Sequence, residues 1–286
     1  MQIILIQLKP GKMLKLMYIT NRPEIAQIAE QAGVDRVFVD LEVLGKSERQ
    51  KDMDTVQSHH TIDDIAKIRK NFGGELLVRS NHIHEGSKEE INAIISNGAD
   101  VVMLPYFKTV EQVAAFIDFV GVRAKTNLLV ETAEAVEILD EILELKGIDE
   151  IHIGLNDLHL SYGMKFMFEL LADGTVERVG RKIIEKGIPY GFGGIARLGY
   201  GLIPAECLIK EHYRLGSTCA ILSRSFCNSD ECANIASIRE TFMTEVAKIR
   251  DLEREVQSHH DQNYFRSNKD YIDRAVKSII ETVDIK

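Results

Sequence analysis

The chain predicts a single (β/α)8 TIM barrel with a C-terminal helical extension, and three observations carry that prediction. Short aliphatic runs alternate with amphipathic helix patterns, and eight such runs fall before residue 230. Five helix patterns stop at a glycine just ahead of the next strand or loop, at Gly33, Gly98, Gly147, Gly187 and Gly216. Glycine is the usual residue where a helix ends in left-handed backbone. A length of 286 residues also suits one barrel plus a tail, since barrels commonly run to about 250.

The strands are expected at Leu16–Ile19, Arg36–Leu41, Leu76–Arg79, Val101–Pro105, Leu128–Glu131, Glu150–Gly154, Tyr190–Gly194 and Cys219–Ser223. Nearly continuous aliphatic runs of this length suit parallel strands covered on both faces. The first helix is expected at Pro23–Ala32, with proline in its first turn and Gly33 beyond its end. Further helix patterns cover Ile62–Asn71, Lys88–Ser96, Val110–Phe119, Ala133–Leu145, Val176–Lys186 and Pro204–Arg214. Two regions break the rhythm. Gly45 to Thr61 is a long polar loop on the catalytic rim, carrying Lys46, Glu48, Arg49, Asp54, His59 and His60. Beyond the eighth strand, Glu231–Val256 reads as one long charged helix, followed by a polar break at Ser258–Asn263 and a helix from about Asn268 to Val283. The barrel is therefore assigned residues 14–230 and the extension 231–286, which either meets a neighbouring subunit in a homo-oligomer or folds across its own barrel.

Hydrophobic residues make up 45% of the chain, enough for a sizeable core, and the net charge of −9 argues against non-specific nucleic-acid binding. No apolar stretch approaches the roughly 20 residues that span a bilayer. The start, Met1 to Lys12, lacks the marks of a signal peptide, so a cytoplasmic home is expected. Cys207, Cys219, Cys227 and Cys232 show no C-x-x-C spacing and read as reduced thiols rather than a disulfide frame or a zinc site.

Four strands end on polar residues that packing does not explain: Asp40 and Glu42, Arg79, Glu131, and Asn156 with Asp157. In a barrel those ends share one rim, where barrel enzymes place their chemistry. Glu131 and Asp157 close neighbouring strands about 4.8 Å apart, so their carboxylates could clasp one cation. Hard oxygen ligands select Mg²⁺ or Mn²⁺. Arg79 could bind a substrate carboxylate or carbonyl with its planar fork; the alternative is an arginine–carboxylate ion pair at the rim. Asp40, Asn156, Gly193 and Gly194 are the remaining candidates to line the substrate. The run Gly191–Gly194 would let backbone approach a ligand or simply make a tight turn. Ser223-Arg224-Ser225 could take an anionic substrate tail or form a rim salt bridge. His152 alternates with Ile151 and Ile153 and reads as a packed barrel histidine. His82 and His84 could line the rim, whereas His259 and His260 belong to the tail.

The motifs Leu-Val-Arg-Ser-Asn (77–81), Gly-Ala-Asp-Val-Val-Met-Leu-Pro (98–105), Val-Glu-Thr-Ala-Glu-Ala-Val (130–136) and Ile-Gly-Leu-Asn-Asp-Leu with Gly163 (153–163) resemble, in order, the HpcH/HpaI aldolase and citrate lyase β-subunit family. The resemblance runs from about Leu16 to Phe226 and implies a pyruvate/phosphoenolpyruvate-type barrel. It implies that Glu131 and Asp157 are metal ligands and that Arg79 contacts the oxygens of a pyruvate-like enolate. The chemistry is consistent with this, because carbon–carbon cleavage leaves an enolate whose charge a cation and a guanidinium stabilise.

The chain departs from the family in two places. Hydroxy-oxo-acid aldolases of the family carry Gly-Glu-His after strand two, where this chain has Asp40-Leu41-Glu42-Val43. That stretch resembles instead the Asp-Leu-Glu-Asp of citrate lyase β chains and acyl-CoA lyases, with Val43 in place of the second aspartate. Leu155-Asn156 replaces the aldolases' Pro-Ala. The proton-transfer group is therefore sought in His59 or His60, with Glu42 or a metal-bound water as rivals. The leading expectation is a metal-dependent aldolase acting on oxo-acid and aldehyde substrates. An acyl-CoA lyase ranks lower, because no basic, adenine-stacking surface is visible and tryptophan is absent. A non-catalytic barrel serving as an assembly or regulatory subunit would have little reason to keep such a cluster of rim charges.

Overall fold

The computed structural model describes residues 11–45, 59–229, 231–232, 234–259 and 261–283. Eight parallel strands close into a barrel in chain order. They are β1 (Lys15–Ile19), β2 (Arg36–Asp40), β3 (Glu75–Arg79), β4 (Val101–Leu104), β5 (Lys125–Val130), β6 (Glu150–Ile153), β7 (Tyr190–Ile195) and β8 (Cys219–Leu222). The outer ring is α1 (Pro23–Ala32), α2 (Ile62–Asn71), α3 (Ser87–Ser96), α4 (Val110–Val120), α5 (Ala133–Glu137), α6 (Leu139–Ile142), α7 (Leu155–Ser161), α8 (Glu169–Ala172), α9 (Thr175–Glu185) and α10 (Ala205–Leu215). Two long helices, α11 (Ile235–Ser258) and α12 (Gln262–Val283), complete the described chain. Among the described residues no helix is long and apolar enough to cross a membrane.

The main core lies between barrel and helices, as the doubly covered strands require. Inside the barrel, Met17, Phe38, Leu77, Val101, Met103, Leu129 and Cys219 form a second apolar cluster. Its floor, at the strands' N-terminal ends, is the fully buried Arg36 guanidinium, which pairs with Glu75 and with Glu150 at 2.8 Å. The four cysteines are free thiols.

The structure differs from the sequence expectation in four places. The single helix expected over Ala133–Leu145 is interrupted at Ile138, whose φ of −93° and ψ of 11° leave helical geometry. Strand six stops at Ile153 and α7 begins at once, with Gly154 as its N-cap and Leu155 and Leu158 buried one turn apart. Asp157 therefore sits in the first turn of a helix rather than at a strand end. The tail helices start at Ile235 and Gln262 instead of Glu231 and Asn268: Asn234 caps the first, and the stripe Phe265, Asn268, Ile272, Val276 extends the second toward its N-terminus. The tail folds across its own barrel. In α11, the spacing of Ile238, Phe242, Val246, Ile249 and Val256 makes one apolar face, and the helix packs on α1 and α10. α12 packs on α8 and α10. Burying each such large side chain contributes roughly 1.5–3 kcal/mol.

Candidate active site

A cavity of about 350 Å³ opens at the C-terminal ends of the strands. β2 and β3 pair with Asp40 and Arg79 as register partners, which puts the two side chains side by side. Arg79 Nε donates to Asp40 Oδ1 and Nη2 to Asp40 Oδ2, both at 2.8 Å, and Nη1 lies 3.2 Å from Glu42 Oε2. Asp40 and Glu42 are 2% and 1% exposed. Burial opposes the guanidinium charge, but Asp40 and then Glu42 outweigh it and hold its pKa well above the ordinary value. The Nε/Nη2 edge of the fork is thus engaged by Asp40, so a substrate would meet only the outward N–H groups of Nη1 and Nη2.

Glu131 follows β5 and is 2% exposed. Its Oε1 accepts the Tyr106 main-chain N–H at 3.0 Å. Tyr106 is the one described non-glycine residue with positive φ, 48°. Such backbone costs on the order of 1 kcal/mol or more and collects at functional sites; here it directs an amide toward a site carboxylate. Beside Glu131 lies Gly154, where an added Cβ would stand 2.9 Å from both Cβ and Oε2 of Glu131. The missing side chain leaves room for that carboxylate. Asp157, half-buried in the first turn of α7, lines the same cavity.

Glu131 and Asp157 are hard oxygen donors facing one cavity. Among the described residues no group of three or more histidine, cysteine or acidic side chains is placed to hold a metal by itself. Two carboxylates with open positions fit Mg²⁺ or Mn²⁺, which keep water and substrate oxygens, rather than a closed zinc site.

Asn156, Gly193 and Gly194 also line the cavity, as do Ser223 and Arg224 beyond β8. His60 lines it too, its Nδ1 accepting the Asp40 main-chain N–H at 3.0 Å, whereas His59 is exposed outside the lining. The remainder of the rim loop, residues 46–58 with Lys46, Glu48, Arg49 and Asp54, lies outside the described residues, as does His260. His152 stands at the cavity's base, 1% exposed, with Nε2 3.3 Å from the Gly193 carbonyl; burial pushes its pKa down to about 4. His84 contacts Glu90 at 2.9 Å, and neither it nor His82 lines the cavity. His259 stacks on Tyr264 in the tail. Sequence reasoning missed the roles of Tyr106 and Gly154. The clue was present, since each lies just beyond a strand end, but neither bears a reactive group.

These features describe a barrel whose C-terminal mouth gathers carboxylates, two arginines and two histidines around one cavity. The chain belongs to the HpcH/HpaI aldolase/citrate lyase family, whose model matches residues 15–169, just over half of it. The match takes in Asp40, Arg79, Glu131 and Asp157 and stops before β7. Membership supports an aldolase or lyase. Among solved structures, the chain is similar to an HpcH/HpaI aldolase from Desulfitobacterium hafniense DCB-2, with 18% identity, a TM-score of 0.58, and 84% of this chain and 94% of that one covered. It is also similar to an HpcH/HpaI aldolase/citrate lyase family protein from Burkholderia cenocepacia J2315, at 14% identity and a TM-score of 0.60, covering 80% of this chain and 95% of that one. At such identities these likenesses speak for the fold alone. No curated protein sequence matches the chain.

Proposed function

We propose that the chain is a divalent-cation-dependent aldolase that forms or splits a carbon–carbon bond of a hydroxy-oxo-acid through a pyruvate-like enolate. The observation that carries this is the placement of Glu131 and Asp157 on one cavity with the buried Asp40–Arg79 pair. Glu131 and Asp157 would hold Mg²⁺ or Mn²⁺; when bound, the cation offsets the negative charge that collects on the oxo-acid oxygens. The Tyr106 amide holds Glu131 in place, and Gly154 leaves it room. Asp40 holds Arg79 by two hydrogen bonds, so the guanidinium presents its outward N–H groups without reorganising. Asn156, Gly193 and Gly194 would shape the oxo-acid pocket.

The test is turnover of pyruvate with a panel of aldehydes, with and without Mg²⁺ or Mn²⁺. Cation-dependent product supports the reading, and no product with any aldehyde removes it. An acyl-CoA thioester in the same panel tests the lyase alternative suggested by Asp40-Leu41-Glu42. Glu42 is buried against Arg79, so this stretch already has a role within the aldolase site.

A further inference from the structure

His152 stands as a partition between two cavities. Above it lies the active-site cavity; below it a second one, of about 250 Å³, opens at the N-terminal ends of the strands beside Lys15, Asn127, Glu150 and Cys219. With open space on both sides, close packing alone does not fix the ring. Two contacts do. Its Nε2 lies 3.3 Å from the Gly193 carbonyl, and a carbonyl can only accept, so Nε2 carries the ring proton and donates it. Its Nδ1 edge lies against Gly191, the register partner of His152 on β7, where an added Cβ would stand only 2.8 Å away. Gly193 itself sits where β7 leaves its regular register. From Gly191 to Gly194 the strand advances three residues while β8 advances two, from Cys219 to Ile221, which makes a β-bulge. Gly193 has φ of 51°, left-handed backbone that a side chain would strain, and a Cβ there would stand 2.7 Å from Leu155 Cδ1. Gly193 and Gly194 both line the active-site cavity, so bare main chain forms that wall.

We infer that His152 is a positioning residue, whose Nε2–H holds the Gly193 carbonyl and so sets the bulged main chain against which the oxo-acid lies. The inference deepens the aldolase reading and rests on it for the identity of the ligand. In this role the ring neither gives nor takes a proton, and it acts only through Gly193. A bulge interrupts the ladder of main-chain bonds, and the imidazole supplies a tie from β6 at that point. Without the tie the wall shifts, and a misplacement of about 1 Å in a substrate can cost about 10²-fold in rate. Glu131 is held instead by the Tyr106 amide, so cation binding should not follow the His152 bond. The glycines of β7 fit the same geometry: Gly191 makes room for the ring, and Gly193 turns the chain so that its carbonyl meets Nε2.

The experiment compares the full-length parent with His152→Gln, His152→Asn and His152→Leu. Glutamine carries an amide N–H to about the Nε2 position, asparagine is too short to reach it, and leucine fills the space without a donor. Turnover of pyruvate with Mn²⁺ and an aldehyde that the parent accepts gives kcat and KM, and calorimetry gives the Mn²⁺ affinity. His152→Leu and His152→Asn should lose about 10- to 10²-fold in kcat/KM for pyruvate while Mn²⁺ affinity stays parental. His152→Gln should recover most of that loss. In ¹⁵N-histidine-labelled parent at pH 7, the His152 resonances, assigned by their loss in His152→Gln, should show a ring protonated on Nε2. An Nδ1–H tautomer overturns the inference whether or not any variant folds. So does a folded His152→Gln no better than a folded His152→Leu, or a fall in Mn²⁺ affinity that matches the fall in kcat/KM. Parental kinetics in a folded His152→Leu protein sink the His152 role alone. If the parent turns over pyruvate with no aldehyde, the aldolase reading and this role fall together.

Discussion

Gly154→Ala tests the proposed metal site without touching a ligand. The glycine has φ −82° and ψ 90°, ordinary backbone for alanine, so any effect must come from the added methyl. That carbon would lie 2.9 Å from Glu131 Cβ and Oε2 and 3.2 Å from Leu129 Cδ1. To restore van der Waals contact the carboxylate must retreat by roughly 0.5 Å, in a core whose packing leaves few voids. Its Oε1 is bonded to the Tyr106 amide at 3.0 Å, so the same movement strains or breaks that bond. Overpacking costs about 1–3 kcal/mol, and a hydrogen bond to a charged group is worth about 1.5–3 kcal/mol. Expressed in cation binding at about 1.4 kcal/mol per tenfold, Mn²⁺ affinity should fall by about 10- to 100-fold. Calorimetric titration with Mn²⁺ reads this directly, and a thermal melt in chelator separates it from general unfolding. Parental Mn²⁺ affinity in a folded Gly154→Ala protein would refute the assignment of Glu131 as a ligand held by this packing.

Glu131→Gln and Asp157→Asn should each abolish divalent-cation dependence while the melting temperature in chelator holds, since each removes a charge and keeps the shape; near-parental Mn²⁺ affinity in either would remove that residue from the site. Arg79→Lys should lower turnover by about 10²-fold although the charge is kept, because lysine cannot reproduce the two bonds to Asp40 that position the group; kcat and KM for pyruvate measured together read it, and an unchanged kcat would exclude the role. His152 titrates near 4 when folded, below the value of about 6.5 it has when unfolded, so the unfolded chain takes up the proton first. Stability from this group is complete above about pH 6.5 and is lost as pH falls toward 4, amounting to about 2 kcal/mol by pH 5. Urea unfolding at pH 7.5 and pH 5 should show that loss and its reduction in His152→Gln; an equal loss in the variant would assign it elsewhere.

The barrel was legible because its strands are aliphatic and its helices end at glycines, and both signals are local. Gly33, Gly98, Gly147, Gly187 and Gly216 do adopt positive φ, as their positions between helix and strand suggested. Asp40 and Arg79 could be placed on the rim because each is the last residue of its strand. Their partnership could not be read in advance: it depends on the register of β2 against β3, which no local pattern encodes. Asp157 was read as a strand end because Ile151, Ile153 and Leu155 alternate as in a strand just before it, and only the packing of Leu155 and Leu158 turns the chain into a helix there. Tyr106 was invisible because its contribution is a main-chain amide. His60 was singled out by residue type, but its contact with a backbone donor 20 residues earlier in the chain could not be read from that type.

On the proposed reading, the charges around the cavity give a cation a place in this site. Among the described residues, Asp40, Glu131 and Asp157 line the β2–β6 side of the cavity together with Arg79, and Glu42 is buried behind that arginine. Carboxylates gathered at a largely buried pocket would repel an oxo-acid carboxylate, because charges interact more strongly there than in water. A divalent ion held by Glu131 and Asp157, as proposed, would offset that charge. Arg224, on the β8 side of the same cavity, adds a positive charge opposite that cluster. On this reading charge compensation would fall to the cation and the arginines, and direction to the outward N–H groups of Arg79.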